Sequence, residues 1–203
     1  MYKAVRAALA LLLLVFSANV FATTLPDAQT MYRQLHLSHE VAFDKFEQAY
    51  DHFKTHRSGK PIFTLIDYSK PSSQKRFWVF DIAKRKVLFS SYVSHGKNSG
   101  SLYAKKFSNV VNSRKTSIGI FRAAETYYGK HGYSLRLDGL SKGLNDNARR
   151  RAIVIHGASY ANPKVISKTG QLGRSWGCPA LPSYLSKKVI DTIKNGTYIY
   201  AYG

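Results

Sequence analysis

Cysteine is nearly absent: the 203-residue chain has one, Cys178. A single cysteine excludes an intramolecular disulfide and the multi-cysteine zinc patterns. Three readings remain, an inert buried thiol, an intermolecular bridge or a reactive nucleophile. Acidic residues are scarce too, 11 Asp and Glu against 31 Lys and Arg, for a formal net charge of +20. Such an excess suits nucleic acid, an anionic membrane surface or an anionic polymer. No recognised nucleic-acid motif accompanies it, so nucleic acid is not the expected partner. No run approaches the roughly 18 uninterrupted apolar residues that a membrane span requires. Internal repeats and low-complexity linkers are also missing, which favours a single domain after the N-terminal segments.

The N-terminus has the pattern of an export signal. Lys3 and Arg6 precede the apolar run Ala7–Phe16, and Ser17–Ala22 offers small residues for cleavage after Ala22. The run is too short to cross a bilayer as a stable helix and matches the apolar core of a secretory signal. Residues 1–22 are therefore expected to be removed, with no stable membrane insertion afterwards and a periplasmic location. An uncleaved N-terminal anchor is the alternative. Export also argues against nucleic acid and leaves an anionic wall polymer as the natural partner for the charge.

Residues 23–60 read as an N-terminal segment, polar and poorly ordered over 23–34 and helical from a Ser38 cap to about His56. Phe43, Phe46, Tyr50 and Phe53 recur at three- and four-residue steps, giving one apolar docking stripe. From residue 61 to 203 the pattern is mainly β. Strands are expected at 62–66, 77–82, 86–93, 117–121, 133–137, 152–156 and 197–202, with a hairpin turn at Ala83-Lys84-Arg85. A short C-terminal helix starts at Ser183, carries Leu185, Val189, Ile190 and Ile193, and stops at Asn195-Gly196.

Two places in this β-rich domain carry chemistry. Arg151 to Ile155 reads as a buried strand that delivers His156 at its end, followed by Gly157. A group at a strand end is held by the scaffold yet stays accessible. Cys178 follows His156 by twenty-two residues, and Gly173-Arg174-Ser175-Trp176-Gly177-Cys178 places glycines just before it. Such glycines let backbone N–H groups converge, and the Gly177 and Cys178 amides are candidates for an oxyanion hole. A free thiol is only a few per cent thiolate near neutral pH, so it needs a base, and His156 is the candidate. The surrounding Lys and Arg, Arg174 included, would favour the thiolate.

His156-Gly157, a spacer and Ser175-Trp176-Gly177-Cys178 resemble the His-Gly…Ser-X-Gly-Cys signature of L,D-transpeptidase catalytic domains. A wider likeness to the murein L,D-transpeptidase subgroup, the YkuD-like enzymes, covers roughly residues 35–203. It runs through 93–100, 107–109, 128–137, 145–148 and 173–180. The resemblance implies a β-rich fold with a Cys–His pair, in which the Gly157 carbonyl orients the imidazole. It also implies a tetrapeptide stem of peptidoglycan as acyl donor, cut between the L-centre of a diamino acid and D-Ala. Where the commoner family pattern has an arginine two residues after the cysteine, this chain has Ala180. Arg174 is the expected replacement for holding a substrate carboxylate.

Ser175, Trp176, His131, Tyr133 and Tyr128 are the other candidate substrate contacts, with Lys130 and His95 nearby in sequence. Arg149-Arg150-Arg151 reads as a solvated charged edge. Neither metal nor organic cofactor is expected. The same site would serve an L,D-carboxypeptidase with water as acceptor, and a non-catalytic cationic wall-binding protein is the reading from another class. A papain-like protease fits poorly, because it places Cys before His in the chain.

Overall fold

The computed structural model describes residues 25–56 and 58–203. The expected export signal and its cleavage site lie outside them. Helix α1 spans Ala28–Gln34, where a poorly ordered stretch was expected. Asp27 caps it by accepting the Thr30 amide at 2.8 Å, and Met31 and Tyr32 are buried. Helix α2 spans Phe43–Thr55 and is preceded by Ala42, not capped by Ser38. Its stripe is the expected one: Phe46, Tyr50 and Phe53 are buried against Phe63, Leu65, Trp78 and Phe80. Burying each such side chain contributes roughly 1.5–3 kcal/mol.

Eight strands follow: β1 Ile62–Asp67, β2 Phe77–Asp81, β3 Lys86–Ser91, β4 Gly119–Gly129, β5 Gly132–Gly139, β6 Val154–Ala158, β7 Ala180–Pro182 and β8 Tyr198–Tyr202. A short helix α3 (Ile166–Thr169) lies between β6 and β7, and α4 (Ser183–Ile193) follows β7. The mainly β class and both expected helices are present. The strands form one mixed sheet in the order β3-β2-β1-β8-β4-β5-β6-β7. Its two ends meet: the Ser94 amide beyond β3 donates to the Ala180 carbonyl of β7 at 2.9 Å, so the sheet curls toward closure. Among the described residues no helix is long and apolar enough to cross a membrane.

Strand alternation divides the core in two. Phe63 and Leu65 of β1 face α1 and α2, while Ile66 and Phe77, Val79 face the interior with Leu135, Leu137 and Ile155. Helix α4 closes that interior with Val189, Ile190 and Ile193. Strand β4 runs well past the expected 117–121. Its outer part pairs charge across to β5, with Arg122 on Asp138 and Arg136 on Glu125, each at 3.2 Å. That half-solvated face conceals the strand from an apolar pattern.

Candidate active site

Strand β6 sets the imidazole by alternation. Ile155 points into the core, and a Cβ on Gly157 would meet Ser186 Oγ at 2.5 Å and the Ser183 Cα at 3.2 Å on α4. His156, between them, faces the opposite side of the sheet. It pairs in register with Ser134 of β5 and with Ala180 of the parallel strand β7. Cys178 lies two residues before Ala180, so the short β7 ladder delivers it beside the histidine. Both line one cavity of about 280 Å³.

The His156 Nδ1–H donates to the Gly157 carbonyl at 3.0 Å, which leaves Nε2 as the free basic nitrogen. The His131 ring stacks on it at 4.2 Å between centroids, 21° from parallel. Burial lowers the His156 pKa below the ordinary imidazole value; the Gly157 carbonyl opposes this and His131 adds to it. His131 is lowered too, by burial and by Lys130.

The Cys178 thiol donates to the Ala152 carbonyl at 3.6 Å, and Ala152 takes a left-handed conformation (φ 52°) just before β6. No hydrogen bond joins Sγ to His156 among the described residues. Burial pushes the thiol above its ordinary pKa, and the Val154 amide, Arg151 and Lys130 oppose it without prevailing. The expectation that basic surroundings favour the thiolate is thus reversed: desolvation outweighs the cations. The resting pair is a neutral thiol and a neutral imidazole.

The turn before the cysteine requires glycine. Gly177 has φ 125°, and a Cβ there would meet the Lys115 carbonyl at 2.8 Å. Ser175 holds the turn shut: its hydroxyl donates to the Cys178 carbonyl at 2.6 Å and accepts the Gly177 amide at 3.0 Å. Its backbone bonds His95 and Lys97 at 2.9 and 2.8 Å. Ser175 is buried and positions the turn, and it also forms part of the cavity wall. The Gly177 amide is therefore occupied. The Cys178 amide makes no hydrogen bond among the described residues and is the available donor.

Arg174, Trp176, His131 and Lys130 line the cavity. Arg174 also donates to the Gly100 carbonyl at 3.1 Å. Trp176 is 63% exposed. Tyr128 and Tyr133 do not line it. They face each other across β4 and β5, and the Tyr133 hydroxyl donates to Asp191 of α4 at 2.7 Å, on the far side of the sheet from His156. His95 is buried, accepting from Arg76 at 2.7 Å, and burial and that cation press its pKa down to about 4. Among the described residues, no group of three or more metal-binding side chains gathers.

Two neighbours escaped the sequence reading. Tyr160 lines the cavity four residues after His156, with nothing in its surroundings to mark it. Arg151, read as a solvated edge, is half-buried behind Gly177. It donates to Ser108, Ser113, Ser117 and the Lys115 carbonyl and has no acidic partner among the described residues. Arg149 does sit at the surface, paired with Glu125 at 2.8 Å and Asp138 at 2.6 Å. The left-handed Ala152 just after Arg151 marks where the chain turns inward.

No curated protein matches the chain. Among solved structures, an L,D-transpeptidase from Mycobacterium smegmatis is 17% identical, over 71% of this chain and 60% of that one, with a TM-score of 0.44. An L,D-transpeptidase from Stackebrandtia nassauensis is 14% identical over 87% of this chain and 76% of that one, also at 0.44. L,D-transpeptidase 3 from Mycobacterium tuberculosis is 12% identical over 71% and 62%, at 0.42. The chain spans 60% of the length of the M. smegmatis protein. The family model for the L,D-transpeptidase catalytic domain matches residues 37–202, from the turn before α2 to the last strand, and the chain belongs to that family.

Proposed function

We propose that the protein is a peptidoglycan-remodelling L,D-transpeptidase, exported by residues 1–22 to the periplasm, with Cys178 as nucleophile and His156 as base. The observation that carries this reading is the shared cavity of Cys178 and an imidazole whose Nδ1 is tied to Gly157, leaving Nε2 to accept a proton. Substrate entry turns the thiol from the Ala152 carbonyl toward Nε2. His156 takes the Sγ proton as sulfur attacks the stem-peptide carbonyl, forming the C–S bond and an oxyanion that the Cys178 amide receives. The imidazolium protonates the D-Ala nitrogen as the C–N bond breaks, leaving a thioester. An acceptor amine then gives its proton to His156, forms a new C–N bond and releases the thiol.

Arg174, Lys130 and Trp176 on the cavity wall suit a peptide rich in carboxylates, and His131 braces the base by stacking. Water in place of the amine would make the enzyme an L,D-carboxypeptidase, and loss of chemistry altogether would leave a cationic wall-binding protein. Chromatography of purified disaccharide-tetrapeptide after incubation separates the three. Cross-linked dimers are the expected product; tripeptide alone means hydrolysis, and unchanged substrate contradicts the catalytic reading.

A further inference from the structure

A second cavity, of about 560 Å³, shares Trp176 with the thiol cavity and is otherwise lined by Asn98, Asn112, Arg114 and Arg151. The Trp176 ring stands as a partition. The Arg114 guanidinium lies 4.3 Å from its centroid, and Lys130, a wall of the thiol cavity, approaches it at 5.5 Å. Both arginines of the second cavity lack acidic partners among the described residues. Their resources differ. Arg151 has both terminal nitrogens bound to Ser and backbone oxygens, so it supplies fixed charge without free donors there. Among the described residues Arg114 makes no hydrogen bond through its guanidinium, which leaves the fork available. Asn112 and Arg114 both hold left-handed backbone (φ 61° and 54°), a conformation that side chains other than Asn and Asp rarely adopt outside constrained sites.

We propose that this cavity is a carboxylate subsite in which Arg114 is the recognising residue and Arg151 the fixed background charge. Its occupant is the carboxylate of the amine component of the reaction, first the leaving D-Ala and then an acceptor amine with a carboxylate on the neighbouring carbon. The inference rests on the proposed transpeptidase reading. In acyl transfer the leaving and entering amines occupy the same side of the acyl carbon, so one anionic subsite serves both. A carboxylate one residue beyond the attacked carbonyl needs only ~3.5 Å of chain, and a planar guanidinium binds it through two parallel hydrogen bonds. This moves the role of carboxylate holder from Arg174, which is committed in part to Gly100, to the opposite side of Trp176.

The test uses the mature chain as wild type, Arg114→Gln, Arg114→Lys and Arg174→Gln, with disaccharide-tetrapeptide and the same compound amidated at its terminal carboxylate. Acylation of Cys178 is expected to favour the free acid by about tenfold or more in wild type. Arg114→Gln should remove that preference while leaving the amide rate within about threefold, and Arg114→Lys should restore part of it. Equal loss on both substrates, no loss, or loss of the preference in Arg174→Gln instead, overturns the proposal.

A titration that requires no chemistry stands beside it. N-acetyl-D-alanine should perturb Trp176 fluorescence saturably, its amide should not, and Arg114→Gln should weaken the response about tenfold. If no form is acylated by either compound, the transpeptidase reading fails and this titration alone decides the subsite. A response shared by the amide, or indifferent to Arg114, removes it.

Discussion

Burial raises the Cys178 thiol and lowers the His156 imidazole, so both groups shift toward the forms without charge. A preformed thiolate–imidazolium pair would require the reverse. Alkylation of Cys178 by iodoacetamide should therefore be slow at pH 7 and keep rising with pH beyond the ordinary thiol range. A rate already at its plateau near pH 7 would contradict the neutral pair. His95 supplies a second effect of burial. Its folded pKa of about 4 lies below the unfolded imidazole value of about 6.5, so the unfolded chain binds the extra proton between those limits. Its contribution to stability is complete above pH 6.5 and is lost as pH falls toward 4, by on the order of 3 kcal/mol. Urea denaturation of wild type and His95→Gln across that window should show a steeper loss for wild type. Parallel curves would show that His95 is not the titrating group.

At the scale of elements, the site depends on the packing of β6 between β7 and α4. Gly157 touches Ser183 and Ser186 of α4 while its carbonyl holds His156, so an added methyl group strikes the helix and moves that carbonyl. Gly157→Ala should cost about 1–3 kcal/mol in stability and lower thioester formation by about tenfold or more, since a small misplacement of a catalytic group is costly. Unchanged acylation with the same loss of stability would show that the carbonyl does not set the base. Strand β6 was legible from the apolar run before His156, but it begins two residues later than expected and carries His156 at its centre, because Ala152 turns left-handed just before it. Strand β7 was not legible, being three residues long, preceded by Pro179 and ending in Pro182, and its pairing with β6 is a long-range event with no local pattern. Helix α1 was overlooked because its Asp27 cap and buried Met31 and Tyr32 gain meaning only against α2.

At the scale of the whole molecule, chain order explains what sequence could reveal of the site. Cys178 and His156 were candidates by residue type and position, and the resemblance of their motifs to the L,D-transpeptidase signature paired them and implied the role of Gly157. Arg151 and Arg114 did not stand out, because the loop over residues 108–117 folds back beneath the cysteine turn only when the sheet has curled. Tyr128 and Tyr133 were misplaced for a related reason: strand alternation sends Tyr133 to α4, opposite His156, and pattern alone does not say which face bears the site. The high net charge acts at this scale as well: Lys130 and Arg174 edge the thiol cavity and Arg114 the neighbouring one, a field that favours anionic ligands.

The central claim is the thioester on Cys178, and intact-protein mass spectrometry of wild type and Cys178→Ala incubated with disaccharide-tetrapeptide tests it most directly. The account predicts a wild-type adduct equal to the donor less D-Ala, absent from Cys178→Ala and discharged by an added amine. An adduct that persists in Cys178→Ala, or no adduct and no product under conditions where a control L,D-transpeptidase turns over, would contradict it.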